Sequence, residues 1–118
     1  MLKFIESGEG RHRVYLEVMM AGSDIVVYIG GGEKPHIGAV SICSGTGEPL
    51  TFSLPNHKDY LVSHKAAQAI FKETGRNTLV IAGIHVDDAS EEDILELLKN
   101  SEECVRKFKA GFVRAQTA

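Results

Sequence analysis

The sequence predicts an α+β domain: a mostly antiparallel, meandering sheet of five to six strands with two helices packed on one face, in the order ββββ(β)αβα. Three observations lead there. The first half alternates apolar and polar residues with a period of two and is cut by Gly- and Pro-rich breaks. The second half changes twice to helical spacing, around one strongly apolar segment. Strands in a run, followed by helices, place the helices together on one side of an antiparallel sheet.

The elements follow in order. Residues 2–6 suit an edge strand. Val14, Leu16 and Val18 alternate with Tyr15, Glu17 and Met19, the pattern of a half-buried strand. Gly22-Ser23-Asp24 signals a turn, and the β-branched run that ends at Ile29 folds back as a hairpin. Gly30 to Pro35 reads as a break. His36 to Cys43 is the next strand, carrying Ile37, Val40 and Ile42, and Gly45 to Pro49 turns the chain into a strand at Leu50–Leu54. Over residues 58–74, Tyr60, Ala67, Phe71 and Thr74 recur at helical intervals, and Gly75 stops the helix. Residues 78–86 (TLVIAGIHV) read as a central strand covered on both faces. Ser90 and Asp93 form a capping box. The helix they open carries Ile94, Leu97, Leu98, Val105 and Phe108 on one stripe, with acids in its first turns and Arg106, Lys107 and Lys109 near its end, as the helix dipole favours. Residues 113–118 read as a frayed tail of a single domain spanning 1–118.

One domain of 118 residues exposes about 6,300 Å² when folded against roughly 18,500 Å² unfolded, enough to bury a core without staples. Composition excludes disorder, collagen and coiled coil. The net charge of −3 hides an asymmetry: residues 87–103 hold eight acids and one base, Lys99, and the remainder has 12 bases, 8 acids and all five histidines. That balance suits a small anion and is too weak for nucleic acid. The N-terminal MLKFIESGEG lacks the apolar stretch of a secretory signal, and no apolar run approaches a membrane span. Cys43 and Cys104 lie outside any CxxC or Cys/His spacing, as packed thiols of a reducing compartment do. A cytoplasmic protein is expected.

Three segments carry candidate chemistry. The run Gly30-Gly31-Gly32-Glu33-Lys34-Pro35-His36-Ile37-Gly38 can expose backbone N–H groups to an anion, or serve only as a flexible loop. It is neither a P-loop nor a dinucleotide fingerprint. His57, Lys58, His64 and Lys65 pair by sevens along a helix face and would seat a phosphate near a helix N-terminus, or form a solvated basic face. His85 lies near the end of the most apolar strand, either as a satisfied core histidine or facing a ligand. No nucleophile elbow, HExxH or paired-carboxylate motif is present. His36, His57, His64 and His85 contain no i, i+3 or i, i+4 pair, which argues against a metal site.

The segments GGEKPHIGAV (31–40), HKD (57–59) and GIHVD (83–87), occurring in that order, resemble those of the small prenylated-flavin chaperones that accompany UbiD-type decarboxylases, gallate decarboxylase among them. The resemblance covers roughly residues 10–100. It implies a homodimer with a fold like the third and fourth eukaryotic proteasome assembly chaperones. It implies a non-catalytic carrier that holds reduced prenylated FMN and delivers it to an apo-decarboxylase. The residues accord with this. Gly31, Gly32, Lys34, His57, Lys58, His64 and Lys65 would supply donors and cations for the flavin phosphate. His36 and His85 would hydrogen-bond flavin heteroatoms, and Ile37 and Tyr60 would line an apolar slot. Two other readings stay open: a protein-assembly chaperone or structural subunit without cofactor, using the acidic 87–103 segment, and a small His-rich enzyme or metal-binding protein.

Overall fold

Alternation along the first half becomes one open sheet in the computed structural model, which describes residues 3–55 and 58–117. The strands are β1 (Phe4–Ser7), β2 (Val14–Ala21), β3 (Asp24–Gly32), β4 (Ala39–Cys43), β5 (Leu50–Ser53) and β6 (Thr78–His85). They lie in the order β1-β2-β3-β6-β4-β5, all antiparallel except the β3–β6 pair. Helices α1 (Tyr60–Thr74) and α2 (Glu91–Thr117) follow β5 and β6 respectively. The α+β class and the element order are those the sequence predicts.

The period-two pattern decides which face the helices cover. Val14, Leu16 and Val18 on β2, Ile25, Val27 and Ile29 on β3, and Val80 and Ala82 on β6 are buried against Ala66, Ala67, Ile70, Leu97, Val105 and Phe108 from the helices. Each such Leu, Ile or Phe contributes roughly 1.5–3 kcal/mol by leaving water. Cys43 and Cys104 belong to this core as free thiols. Burial raises the pKa of both, that of Cys104 to about 11.

Among the described residues, no helix lies on the opposite face. Cross-strand register lines up Met19, Val26, Leu79, Ile42 and Leu50 in one row, and Glu17, Tyr28, Ile81, Val40 and Phe52 in the next. Leu50, Phe52 and Met19 are 76%, 73% and 63% exposed. β6 is therefore central, as expected, but covered by helices on one side only: its Leu79 and Ile81 remain half-buried on the open face.

Several boundaries move. Gly30–Gly32 extend β3 instead of breaking it, because β6 supplies a parallel partner as far as the Gly32–His85 pair. β4 starts at Ala39, not at residue 36. Residues 36–38 instead cross the end of β6, with the His36 and Gly38 N–H groups donating to the Gly83 and Ala82 carbonyls at 3.3 and 2.8 Å. The meander is interrupted, since β6 sits between β3 and β4. α1 begins at Tyr60, so Lys58 precedes it and does not share a helix face with Lys65. The capping box forms as predicted: Ser90 N–H donates to Asp93 Oδ2 at 2.9 Å, and Asp93 N–H to Ser90 Oγ at 3.0 Å. Ile94 is 46% exposed and leaves the core stripe. Residues 113–117, read as part of a tail, are helical. Phe112 is buried there, and Arg76 stacks over its ring at 5.3 Å while donating to Gln116 Oε1 at 3.3 Å, tying down the last turn.

Candidate functional site

The three motif segments, separated by up to about fifty residues, meet at one corner beyond the C-terminal ends of β3 and β6. The parallel pairing brings Gly32 opposite His85. From there the chain turns back, and the Glu33 and Lys34 N–H groups both donate to the His85 carbonyl, at 2.7 and 3.2 Å. Lys34 Nζ donates to Asp87 Oδ1 at 3.2 Å. His85 Nε2 lies 2.9 Å from the same carboxylate. These two neighbours, the histidine first, hold the Asp87 carboxyl below its ordinary range. Asp87 N–H is capped by Glu33 Oε1 at 2.9 Å.

Asp59 joins the second segment to the other two. It is only 7% exposed, at the start of α1. Its Oδ1 accepts from Ile84 N–H at 2.8 Å, and its Oδ2 lies 3.0 Å from His36 Nε2. His36 Nδ1 lies 2.9 Å from the Lys34 carbonyl, and its ring meets that of His85 edge to face at 6.3 Å. Tyr28 donates its hydroxyl to the His36 carbonyl at 2.8 Å. Burial, followed by Tyr15 nearby, pushes the Tyr28 pKa up to about 12, so the phenol stays a neutral donor. Two glycines let these segments interpenetrate. A Cβ at Gly83 would overlap the His36 backbone carbonyl, and one at Gly38 would run into the Asp59 carboxylate.

Of the predicted site residues, Gly31, Gly32, Lys34, His36 and His85 are brought to this corner, with Lys58 exposed just before α1. His57 lies outside the described residues. The amides expected to await an anion are already engaged: Gly32 N–H donates to Arg13 O at 2.9 Å, and those of Glu33 and Lys34 to His85 O. The first-turn amides of α1 are engaged too, Leu61 with Lys58 O and Val62 and Ser63 with Asp59 O. What the corner offers a ligand is side chains: Lys34, 66% exposed, His85, 46% exposed, and Lys58. Beside it the open face is aromatic, with Tyr28 5.9 Å from Tyr15 and Tyr15 5.7 Å from Phe4, ring to ring. Ile37 is exposed at the corner.

His64 and Lys65 go elsewhere. His64 Nδ1 ends a chain of hydroxyls, 2.9 Å from Thr51 Oγ1, which is 2.7 Å from Ser41 Oγ, which is 2.8 Å from buried Ser63 Oγ. That chain bolts edge strand β5 to α1. His64, Lys65 and Tyr60 line a groove of about 1020 Å³ between α1 and α2. Sequence reasoning missed Asp59 and Tyr28 as site residues. An acid between Lys58 and a helical run was the one available signal for Asp59; Tyr28 looked like any strand aromatic.

Half of the eight acids in the 87–103 block have ionic partners among the described residues. Asp93 is held at about 2 by His12 Nε2, 2.7 Å away, and by the Ser90 cap. Asp87 has its pair at the corner, Glu102 meets Lys65 at 3.5 Å, and Glu103 meets Arg106. Among the described residues no group of three or more His, Cys, Asp and Glu side chains is placed to hold a metal ion, and no helix is long and apolar enough to cross a membrane.

The fold has a counterpart among solved structures. A chain from the crystal structure of a chaperone complex for yeast 20S proteasome assembly superposes with a TM-score of 0.60, covering 92% of this chain and 98% of that one, at 10% identity. The chain belongs to the family of prenylated-flavin chaperones with an LpdD-like domain, whose model matches residues 8–112. Protein LpdD of Lactiplantibacillus plantarum is 29% identical over 82 residues, 65% of this chain and 60% of that protein's length. Membership gives the chain a domain described as a prenylated-flavin chaperone domain over nearly its whole length.

Proposed function

We propose that this protein binds reduced prenylated FMN as cargo and delivers it to a UbiD-type decarboxylase, without chemistry of its own. The observation that carries the reading is the meeting of the 31–38, 58–59 and 83–87 segments at one corner, in a chain whose family is defined by prenylated flavin. A cargo site needs polar groups at fixed positions beside an apolar surface. The His36–Asp59 and His85–Asp87 pairs hold two imidazoles in fixed orientations, suited to the heteroatom edge of a flavin. Lys34 and Lys58 stand ready as cations for its phosphate. Tyr28 and Tyr15 give the fused rings an aromatic surface on which to lie.

The protein acts as a homodimer through the open face of the sheet. Monomers rarely leave apolar rows of this kind in water, and Met19 on β2, Ile42 on β4 and Leu50 and Phe52 on β5 all face the open side. Sedimentation of wild type should give a dimer, and Phe52→Asp with Met19→Asp a monomer; a monomeric wild type would remove this part of the proposal. For the carrier function, an anaerobic titration with reduced prenylated FMN should saturate at one per chain, and Lys34→Ala with His85→Ala should weaken it at least tenfold. Absence of uptake by wild type would overturn the reading.

A further inference from the structure

We infer that the groove between α1 and α2 docks an acidic amphipathic helix of the protein that receives the cargo, an inference that rests on the carrier reading above. The groove lies on the outer side of the helical layer and holds about 1020 Å³. Leu61, Ala69, Leu98 and Val105 supply its apolar lining, and Leu61 stays 44% exposed. The stripe continues up α2 through Ile94 and Leu95, both exposed. α1 has 15 residues, about 22 Å of helix, so the trough matches a partner helix of three to four turns.

Charge selects the occupant. Among the described residues, Lys65, Lys72, Arg106 and Lys109 line the groove against two carboxylates, Glu73 and Glu102. Lys65 bridges to Glu102 and Arg106 to Glu103, and among the described residues Lys72 and Lys109 have no carboxylate within salt-bridge reach. An apolar trough with surplus cations at one end takes a helix in its groove by i, i+3, i+4 apolar anchors and by acids that meet Lys72 and Lys109. The cargo corner lies beyond the end of the β3–β6 pair and the dimer rows lie on the opposite face of the sheet, so this surface is free for an acceptor while cargo is held.

The test measures association of the full-length chain with the apo-decarboxylase at low and high salt, beside anaerobic cargo uptake. Lys72→Glu with Lys109→Glu should bind the enzyme at least tenfold more weakly, with a flatter salt dependence, because rim charges steer encounter. Its cargo uptake and circular dichroism should equal those of wild type. Leu61→Ser, at an exposed position, should weaken association independently of charge. Unchanged association of a folded double variant overturns the inference. So does a wild type that takes up cargo yet never associates with the enzyme, or self-association beyond a dimer that the double variant abolishes, which would make a second copy the occupant. Groove-dependent association without cargo uptake would support the docking surface and sink the carrier reading instead.

Discussion

The corner at the end of β3 and β6 and the groove between the helices both set Lys and His beside carboxylates, to opposite ends. At the corner nearly every polar group has an internal partner: Asp59 with Ile84 N–H and His36, Asp87 with Lys34 and His85, the loop amides with His85 O. In the groove, cations outnumber carboxylates and apolar side chains lie open. The difference teaches that a satisfied network makes a rigid site, with few side chains left to offer, whereas an unsatisfied one makes a surface that needs a partner.

The strongest way to break the corner is Gly83→Ala. The added methyl meets the His36 backbone carbonyl, which cannot swing aside, so unfolding stability should fall by about 3 kcal/mol or occasionally more. A denaturation midpoint equal to wild type would show that the segments do not interlock. Gly38→Ala meets a side chain, that of Asp59, and should cost less. Asp59→Ala comes next, at about 2–3 kcal/mol, because Ile84 N–H and His36 lose a charged acceptor in a buried setting. Asp59→Asn, which keeps one acceptor, should lose less than half of that, and equal losses would contradict the hydrogen-bond account.

At the seam between corner and helix, Asp93 gives a pH signature. Its carboxyl is held at about 2 against an ordinary 3.8. A depressed carboxyl contributes stability that is complete above its unfolded value and is lost as pH falls from about 4 to about 2. Urea midpoints should therefore drop over that window in wild type, and less so in Asp93→Asn, which has already lost the ion pairs with His12 and Arg11. The smallest stability effect belongs to the groove. Lys72→Glu and Lys109→Glu sit on exposed or half-exposed positions with no internal ion pair among the described residues, and each should shift stability by no more than about 0.5 kcal/mol.

Much of this was legible in the chain. Val14-Leu16-Val18 against Tyr15-Glu17-Met19 announced a strand with one buried face, and Ser90-Glu91-Glu92-Asp93 announced a capped helix; both depend on neighbours in sequence. The insertion of β6 between β3 and β4 was not legible, since strand order is decided by long-range pairing that leaves no local mark. Gly30 to Gly32 were read as conformational freedom for an anion loop; Gly31 and Gly32 do take positive φ, at 154° and 72°, but as part of β3. Gly83 and Gly38 serve another purpose, as places where another segment passes too close for a side chain. His64 and Lys65 looked like companions of His57 and Lys58; helix α1 starting at Tyr60 turns them toward the groove. The burial of Asp59 was hidden because its partners, Ile84 and His36, lie 25 and 23 positions away.

The most direct measurement is an anaerobic equilibrium titration of the protein with reduced prenylated FMN, run in parallel on wild type, Lys34→Ala with His85→Ala, and Lys72→Glu with Lys109→Glu. Uptake of one cargo per chain, lost in the corner variant and retained in the groove variant, is the expected result. Uptake that follows the groove variant instead, or no uptake by wild type, would contradict the placement of the cargo at the corner.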